Sequence, residues 1–262
     1  MRDARAAGSP RSTNLLGPAD AEPVRALDFG ADPSFLLVCD HAGRDVPARL
    51  ARLGLPDAAF DTHIAWDIGA LGFAERLAER LGSTLIWQVY SRLVVDCNRD
   101  PSHPGAIAEV SDGVVIPGNA GLDEAERAAR IAEIHAPYHA HISAEIDARM
   151  AAGAPPLMIC AHSFTPVMQG AARPWHVGVL HGGASPASEV LLGLLRAEGD
   201  LVVGDNQPYA MDGTDYTAPT HAWARGLDVI ELEIRQDLLA DAAGQTRFAD
   251  LFARLLPRLP KV

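Results

Sequence analysis

His41 follows directly on the apolar run Phe35-Leu36-Leu37-Val38-Cys39-Asp40, and His162-Ser163 follows Leu157-Met158-Ile159-Cys160-Ala161. Imidazoles at the carboxyl ends of buried strands stand where open α/β sheets form their binding crevices. Two more runs end in polar groups: Leu93-Val94-Val95 leads into Asp96-Cys97-Asn98-Arg99, and Val229 to Ile234 leads into Arg235-Gln236-Asp237. A catalytic zinc needs three His, Asp, Glu or Cys ligands from separate elements, with a fourth position open to water or substrate. His41, Asp67 and His162 are the preferred trio for zinc or another divalent ion. His63 and Asp61 compete with Asp67 for the third place.

Glu231 and Glu233 alternate with Ile230, Leu232 and Ile234, which puts both carboxylates on one face of a strand and the apolar residues on the other. Buried carboxylates must be paired, ligated or used, because an isolated charge in the interior tends to neutralise. A salt bridge to Arg92 or Arg235 is one reading. The other makes Glu233, nearer the strand's end, a general base that takes a proton from the attacking water and returns it to the leaving amine, with Glu231 in support. Arg92, Asn98, Arg99 and Arg235 offer donors near the same rim, and guanidinium suits carboxylate recognition. One or more of these arginines instead neutralises Asp96, Asp100 or Asp237. Asn206 and Tyr209 lie in a polar, turn-rich segment that reads as a specificity loop. His135, His139 and His141 read as surface or capping groups of a helix. Ser163 lacks the Gly-x-Ser-x-Gly elbow of a nucleophilic serine. Neither a dinucleotide fingerprint nor a phosphate-binding loop is present.

The elements that must position these groups follow from periodicity. Strands are predicted at Phe35–Cys39, Thr84–Val89, Leu93–Asp96, Leu157–Cys160, His176–Leu180, Leu201–Val203 and Val229–Ile234. Helical spacing runs from Ile68 to Leu81 before Gly82, from about Leu122 to Ala152 with a kink or division at Pro137, and over Ala187–Ala197 and Gln245–Leu256. Alternating strands and helices imply a mostly parallel sheet covered on both faces. The Pro- and Gly-rich stretch from Asp100 to Gly121 reads as an excursion over the cleft. Residues 1–32 read as a loosely packed N-terminal arm, and 33–262 as one domain.

With 48% hydrophobic and 21% charged residues the chain is globular. Its apolar runs fall far short of the roughly 20 residues that span a bilayer. A formal charge of −12 disfavours nucleic acid as a partner. It leaves room for an acidic small molecule, because a local arginine cluster can reverse the field inside one cleft. Three cysteines without zinc-ribbon spacing, and a start without a secretory signal, suit a cytoplasmic protein with free thiols. No heptad pattern bears on oligomeric state.

Taken in order, Cys39-Asp40-His41-Ala42-Gly43, His63-Ile64-Ala65-Trp66-Asp67-Ile68-Gly69, Ser91 to Arg99, Ala161-His162-Ser163-Phe164, Gly204 to Tyr209 and Glu231-Leu232-Glu233-Ile234-Arg235 resemble the N-formylglutamate amidohydrolase family. The resemblance runs from about Phe35 to Leu239. It implies a phosphorylase/hydrolase-like three-layer α/β/α sandwich with a mostly parallel mixed sheet, distantly similar to zinc carboxypeptidases. It also implies hydrolysis of N-formyl-L-glutamate to formate and glutamate in a histidine-degradation route. In that wider zinc-peptidase group an Asn-Arg pair binds the substrate carboxylate and a late-strand Glu is the base, an order matched by Asn98-Arg99, His162 and Glu233. The carboxypeptidases carry a Glu ligand three residues after the first His, where this chain has Arg44, so the second ligand must come from elsewhere. Three other functions remain open on the sequence: hydrolysis of a different N-acyl amino acid, a metal-free serine hydrolase using Ser163, and a catalytically silent binding protein for acidic amino acids.

Overall fold

The computed structural model describes residues 14–30, 32–183, 185–211 and 213–260. In chain order the strands are β1 (Val24–Asp28), β2 (Phe35–Cys39), β3 (Thr84–Gln88), β4 (Val110–Ser111), β5 (Val114–Val115), β6 (Leu157–Phe164), β7 (Val167–Met168), β8 (Ala171–Ala172), β9 (Val177–Leu180), β10 (Val203–Asp205) and β11 (Val229–Arg235). The α-helices are α1 (Ala70–Leu81), α2 (Glu124–Arg130), α3 (Ala136–Ala151), α4 (Pro186–Ala197), α5 (Thr217–His221) and α6 (Ala242–Leu255).

Seven strands form one sheet in the order β1-β3-β2-β6-β11-β9-β10. The central neighbours β3, β2, β6 and β11 are parallel, as are β9 and β10, whereas β1 meets β3 and β9 meets β11 antiparallel. The result is the expected mostly parallel mixed sheet. Because side chains alternate across a strand, Leu37, Ile159, Ala161, Ile230, Leu232 and Ile234 pack on one face with residues of α1, α4 and α6. On the other face Leu36, Val38, Met158 and Cys160 pack with α3 and α5. Three layers follow directly from those two apolar stripes.

Several predicted elements are corrected. Leu93–Asp96 is a buried turn, held by Val94 N–H to Ser91 O and Asp96 N–H to Ala106 O. Leu93, Val94 and Val95 are apolar because they fill a third cluster with Leu53, Phe60 and Ile134, and such a run cannot be told from a strand by periodicity. The strand predicted to end at Cys160 runs on to Phe164, so His162 lies within β6. The strand predicted at Leu201–Val203 starts at Val203. The long predicted helix is divided by a π-helical turn over Ile131–His135, which places Pro137 in the first turn of α3, where its missing N–H costs nothing. Of the loosely packed arm, residues 1–13 lie outside the described residues. Leu15 is buried, and Val24–Asp28 is an edge strand joined to the sheet by its ladder to β3. Its side chains are mostly exposed, so it carries no apolar stripe to announce it. Among the described residues no helix is long and apolar enough to cross a membrane.

Candidate active site

His41 is delivered by β2, and the turn behind it is forced by close packing. A Cβ on Gly43 would stand 1.8 Å from the carbonyl oxygen of Val89, so only glycine lets the chain pass the end of β3 there. Asp67 is tied to the same turn, its amide N–H donating to the carbonyl of His41 at 2.9 Å. β6 and β11 run in parallel register with Glu233 opposite His162 and Glu231 opposite Cys160. Since Ile230, Leu232 and Ile234 point into the other core, both glutamates share the face of His162.

The three expected ligands meet. Nδ1 of His162 lies 2.8 Å and Nδ1 of His41 3.5 Å from Oδ2 of Asp67, and one donor atom from each residue falls within 4.8 Å of the others. Each imidazole turns its remaining nitrogen to an outer carboxylate: His41 Nε2 to Asp96 at 2.7 Å and His162 Nε2 to Asp40 at 3.4 Å. This carboxylate–imidazole arrangement fixes the ring that a metal binds and raises its basicity. Asp40 is held in turn by hydrogen bonds from Tyr138 Oη at 2.8 Å and Thr217 Oγ1 at 2.9 Å. Buried Nδ1 of His41 has no hydrogen-bond partner. A donor set of two imidazoles and one carboxylate, with an orphaned nitrogen facing the carboxylate, could hold a divalent metal ion.

The electrostatics point the same way. Burial and Arg92 lower the pKa of His41, yet Asp96 and Asp67 outweigh them and hold it above the usual value. Burial likewise opposes protonation of His162, but Glu231, Asp40 and Asp67 raise it well above. Asp67 is kept below the usual carboxylate range despite burial, by His41 and His162, and Asp40 falls to about 2 against its burial through His162. The pocket is built to hold positive charge. Burial pushes Glu231 up to about 7 and Glu233 well above its ordinary value.

His41, Asp67, His162, Glu231 and Glu233 line a cavity of about 410 Å3 that also takes in His63, Arg92, Asn98, Arg99 and Tyr209. Gly105, Ala108, Ser111 and Asp112 line it too, so the excursion from Asp100 to Gly121 does reach the cleft. The rivals for the third ligand are engaged elsewhere: Asp61 pairs with Arg44, and His63 reaches Asp112 at 3.1 Å. Arg92 grips Oδ2 of Asp96 through Nε at 3.1 Å and Nη2 at 2.6 Å, with Nη1 3.6 Å from Asp67. Neither glutamate forms an ion pair with Arg92 or Arg235, and Oε2 of Glu233 is buried without a hydrogen-bond partner. Two expected substrate-binding residues are not brought to the cavity. Arg235 pairs with Asp237 at 2.8 Å, and Asn206 spends its side-chain oxygen on the amide of His181 at 2.8 Å.

Reading by residue type missed the outer carboxylate Asp40, although its place beside His41 was the available signal. It also misplaced His135 and His139, which are buried rather than on the surface; His141 alone of the three is exposed.

No curated protein sequence matches the chain. Among solved structures, a gene product of Agrobacterium tumefaciens is similar at 38% identity and a TM-score of 0.89, covering 94% of this chain and 97% of its own. N-formylglutamate amidohydrolase from Ralstonia eutropha JMP134 shares the fold at 19% identity and a TM-score of 0.59, over 91% of this chain and 98% of its own. The family model of N-formylglutamate amidohydrolase matches residues 34–240, the span that holds every residue converging on the cavity, and the chain belongs to that family.

Proposed function

We propose that the protein is a metal-dependent amide hydrolase that converts N-formyl-L-glutamate, or a related N-acyl amino acid, and water into a carboxylate and the free amino acid. The reading rests on one observation: His41, Asp67 and His162 offer converging donor atoms beside a buried glutamate with an unpartnered oxygen. Zinc is the ion that this donor set suits best. When bound it supplies a Lewis acid for the acyl carbonyl and makes water a better nucleophile at neutral pH.

The rest falls to the chain's own residues. Glu233 takes the proton of the attacking water at its free Oε2 and delivers it to the amine nitrogen as the amide bond breaks. Glu231, one pleat repeat away on β11, keeps a second titratable carboxyl on the same face. Arg99, with Asn98 and Tyr209, receives the substrate carboxylate, a role supported by their position on the cavity wall, while Arg92 contributes through Asp96 and Asp67. Three buried free cysteines suit a reducing compartment such as the cytoplasm.

The test is metal analysis of the purified protein together with formate release from N-formyl-L-glutamate, before and after chelation and after zinc is restored. Metal near one equivalent and activity that disappears and returns with it are expected. Full turnover in metal-free protein would reject the reading. A panel of N-acyl amino acids run beside it identifies the acyl group and the amino acid.

A further inference from the structure

Three buried histidines lie outside the ligand set, and their hydrogen bonds run in one direction. His139 Nε2 is 2.8 Å from the carbonyl oxygen of Cys97, which can only accept, so Nε2 carries the proton. The neutral ring then has an accepting Nδ1, which lies 2.8 Å from Nε2 of His221. That nitrogen must donate, which leaves Nδ1 of His221 to accept from Ser143 Oγ at 3.2 Å. One turn earlier His135 Nε2 donates to the carbonyl of Arg99 at 3.0 Å. Burial holds His139 down to about 3 and His221 to about 4, so both rings are neutral, as this chain of donors requires.

Two carbonyls are thus held, on either side of the same residue. Asn98 stands between Cys97 and Arg99, and its Oδ1 accepts the amides of Tyr216 and Thr217, both at 3.0 Å. Arg99 Nη1 folds back onto the carbonyl of Asn98 at 2.7 Å. His135 sits at the end of the π-helical turn and His139 in α3, where the widened turn and the following helix aim both rings at one loop.

We propose that His135, His139 and His221 form a positioning relay that sets the Cys97–Arg99 loop, and through it the Asn98 and Arg99 side chains, for binding the substrate carboxylate. The assignment of carboxylate binding rests on the function proposed above; the relay itself rests on the hydrogen bonds. These are positioning residues, since none of the three lines the cavity.

Two variants separate hydrogen bonding from packing. His139→Leu removes both bonds, whereas His139→Gln can donate to Cys97 and accept from His221. Amide hydrogen exchange at Thr217 reads the loop without any substrate, and steady-state kinetics on N-formyl-L-glutamate and its α-amide read carboxylate binding. His139→Leu should speed exchange at Thr217 and raise KM for the acid about tenfold, with kcat and metal content little changed. It should also erase the preference for acid over amide. His139→Gln should restore all of these. Unchanged exchange and KM in His139→Leu, or equal damage in both variants, overturns the relay. A wild-type protein inert towards every N-acyl amino acid overturns the functional reading instead, and the exchange rates still decide the relay.

Discussion

Glu233 on β11 stands directly opposite His162 on β6, in the register of two parallel strands. A carboxyl and a candidate metal ligand are therefore set side by side by backbone pairing, with no loop able to move one relative to the other. Replacing Glu233 with Gln preserves the shape and removes the proton acceptor. Turnover should fall by about 10^2 to 10^4-fold, the usual contribution of a positioned acid or base, while bound metal stays at wild-type stoichiometry. Formate release and metal analysis on the same sample check it, and near-normal turnover would remove Glu233 from its role.

How far that site is readable before any coordinates differs from residue to residue. His41, His162 and the glutamate pair announce themselves because each interrupts or ends an apolar run, and burial of the run predicts where the polar group emerges. Asp67 has no such run in front of it; the bond from its amide to His41 O is a tertiary contact that spacing cannot reveal. Arg235 shows the opposite failure. It ends the strand that carries the site, and the pleat's period puts it on the side of Glu233, yet its guanidinium turns to Asp237 two residues on. The stripe at Leu93–Val95 is apolar for burial in a separate cluster, which gives it the composition of a strand without a strand's ladder.

The outer carboxylates carry a prediction of their own. Asp96 receives the His41 Nε2–H and is neutralised by Arg92, so Asp96→Asn keeps a hydrogen-bond acceptor but loses the charge. Metal affinity should weaken by about 10- to 100-fold, the usual effect of altering a ligand's partner, against outright loss of metal in His162→Ala. Competition with a chelator of known affinity measures both, and equal affinity in Asp96→Asn and wild type would deny it that function.

Arg235→Ala should leave KM and kcat within about twofold of wild type, because Arg235 lies off the cavity and its partner Asp237 is half exposed, where an ion pair contributes little. A large rise in KM with unchanged kcat would return this arginine to the substrate. Arg99→Ala provides the contrast, with KM expected to rise by tenfold or more.

Acid stability tests the neutral imidazoles. Burial lowers His139 to about 3 and His221 to about 4, helped in His139 by the nearby His135 and in His221 by Arg225, against an opposing pull from Asp40 on both. In the unfolded chain both take up protons near the ordinary histidine value of about 6.5. Between that value and about 4 the unfolded state binds more protons than the folded one, so stability falls as pH falls and is fully present above pH 6.5 or so. Their contribution to the urea midpoint should therefore drop steadily from pH 7 to pH 4.5, opposed over the same range by Glu231 and Glu233, whose raised values favour the folded state as pH falls. The double variant His139→Gln/His221→Gln, which keeps amide groups in the same places, should flatten that slope. An unchanged slope would remove both imidazoles from the acid limb.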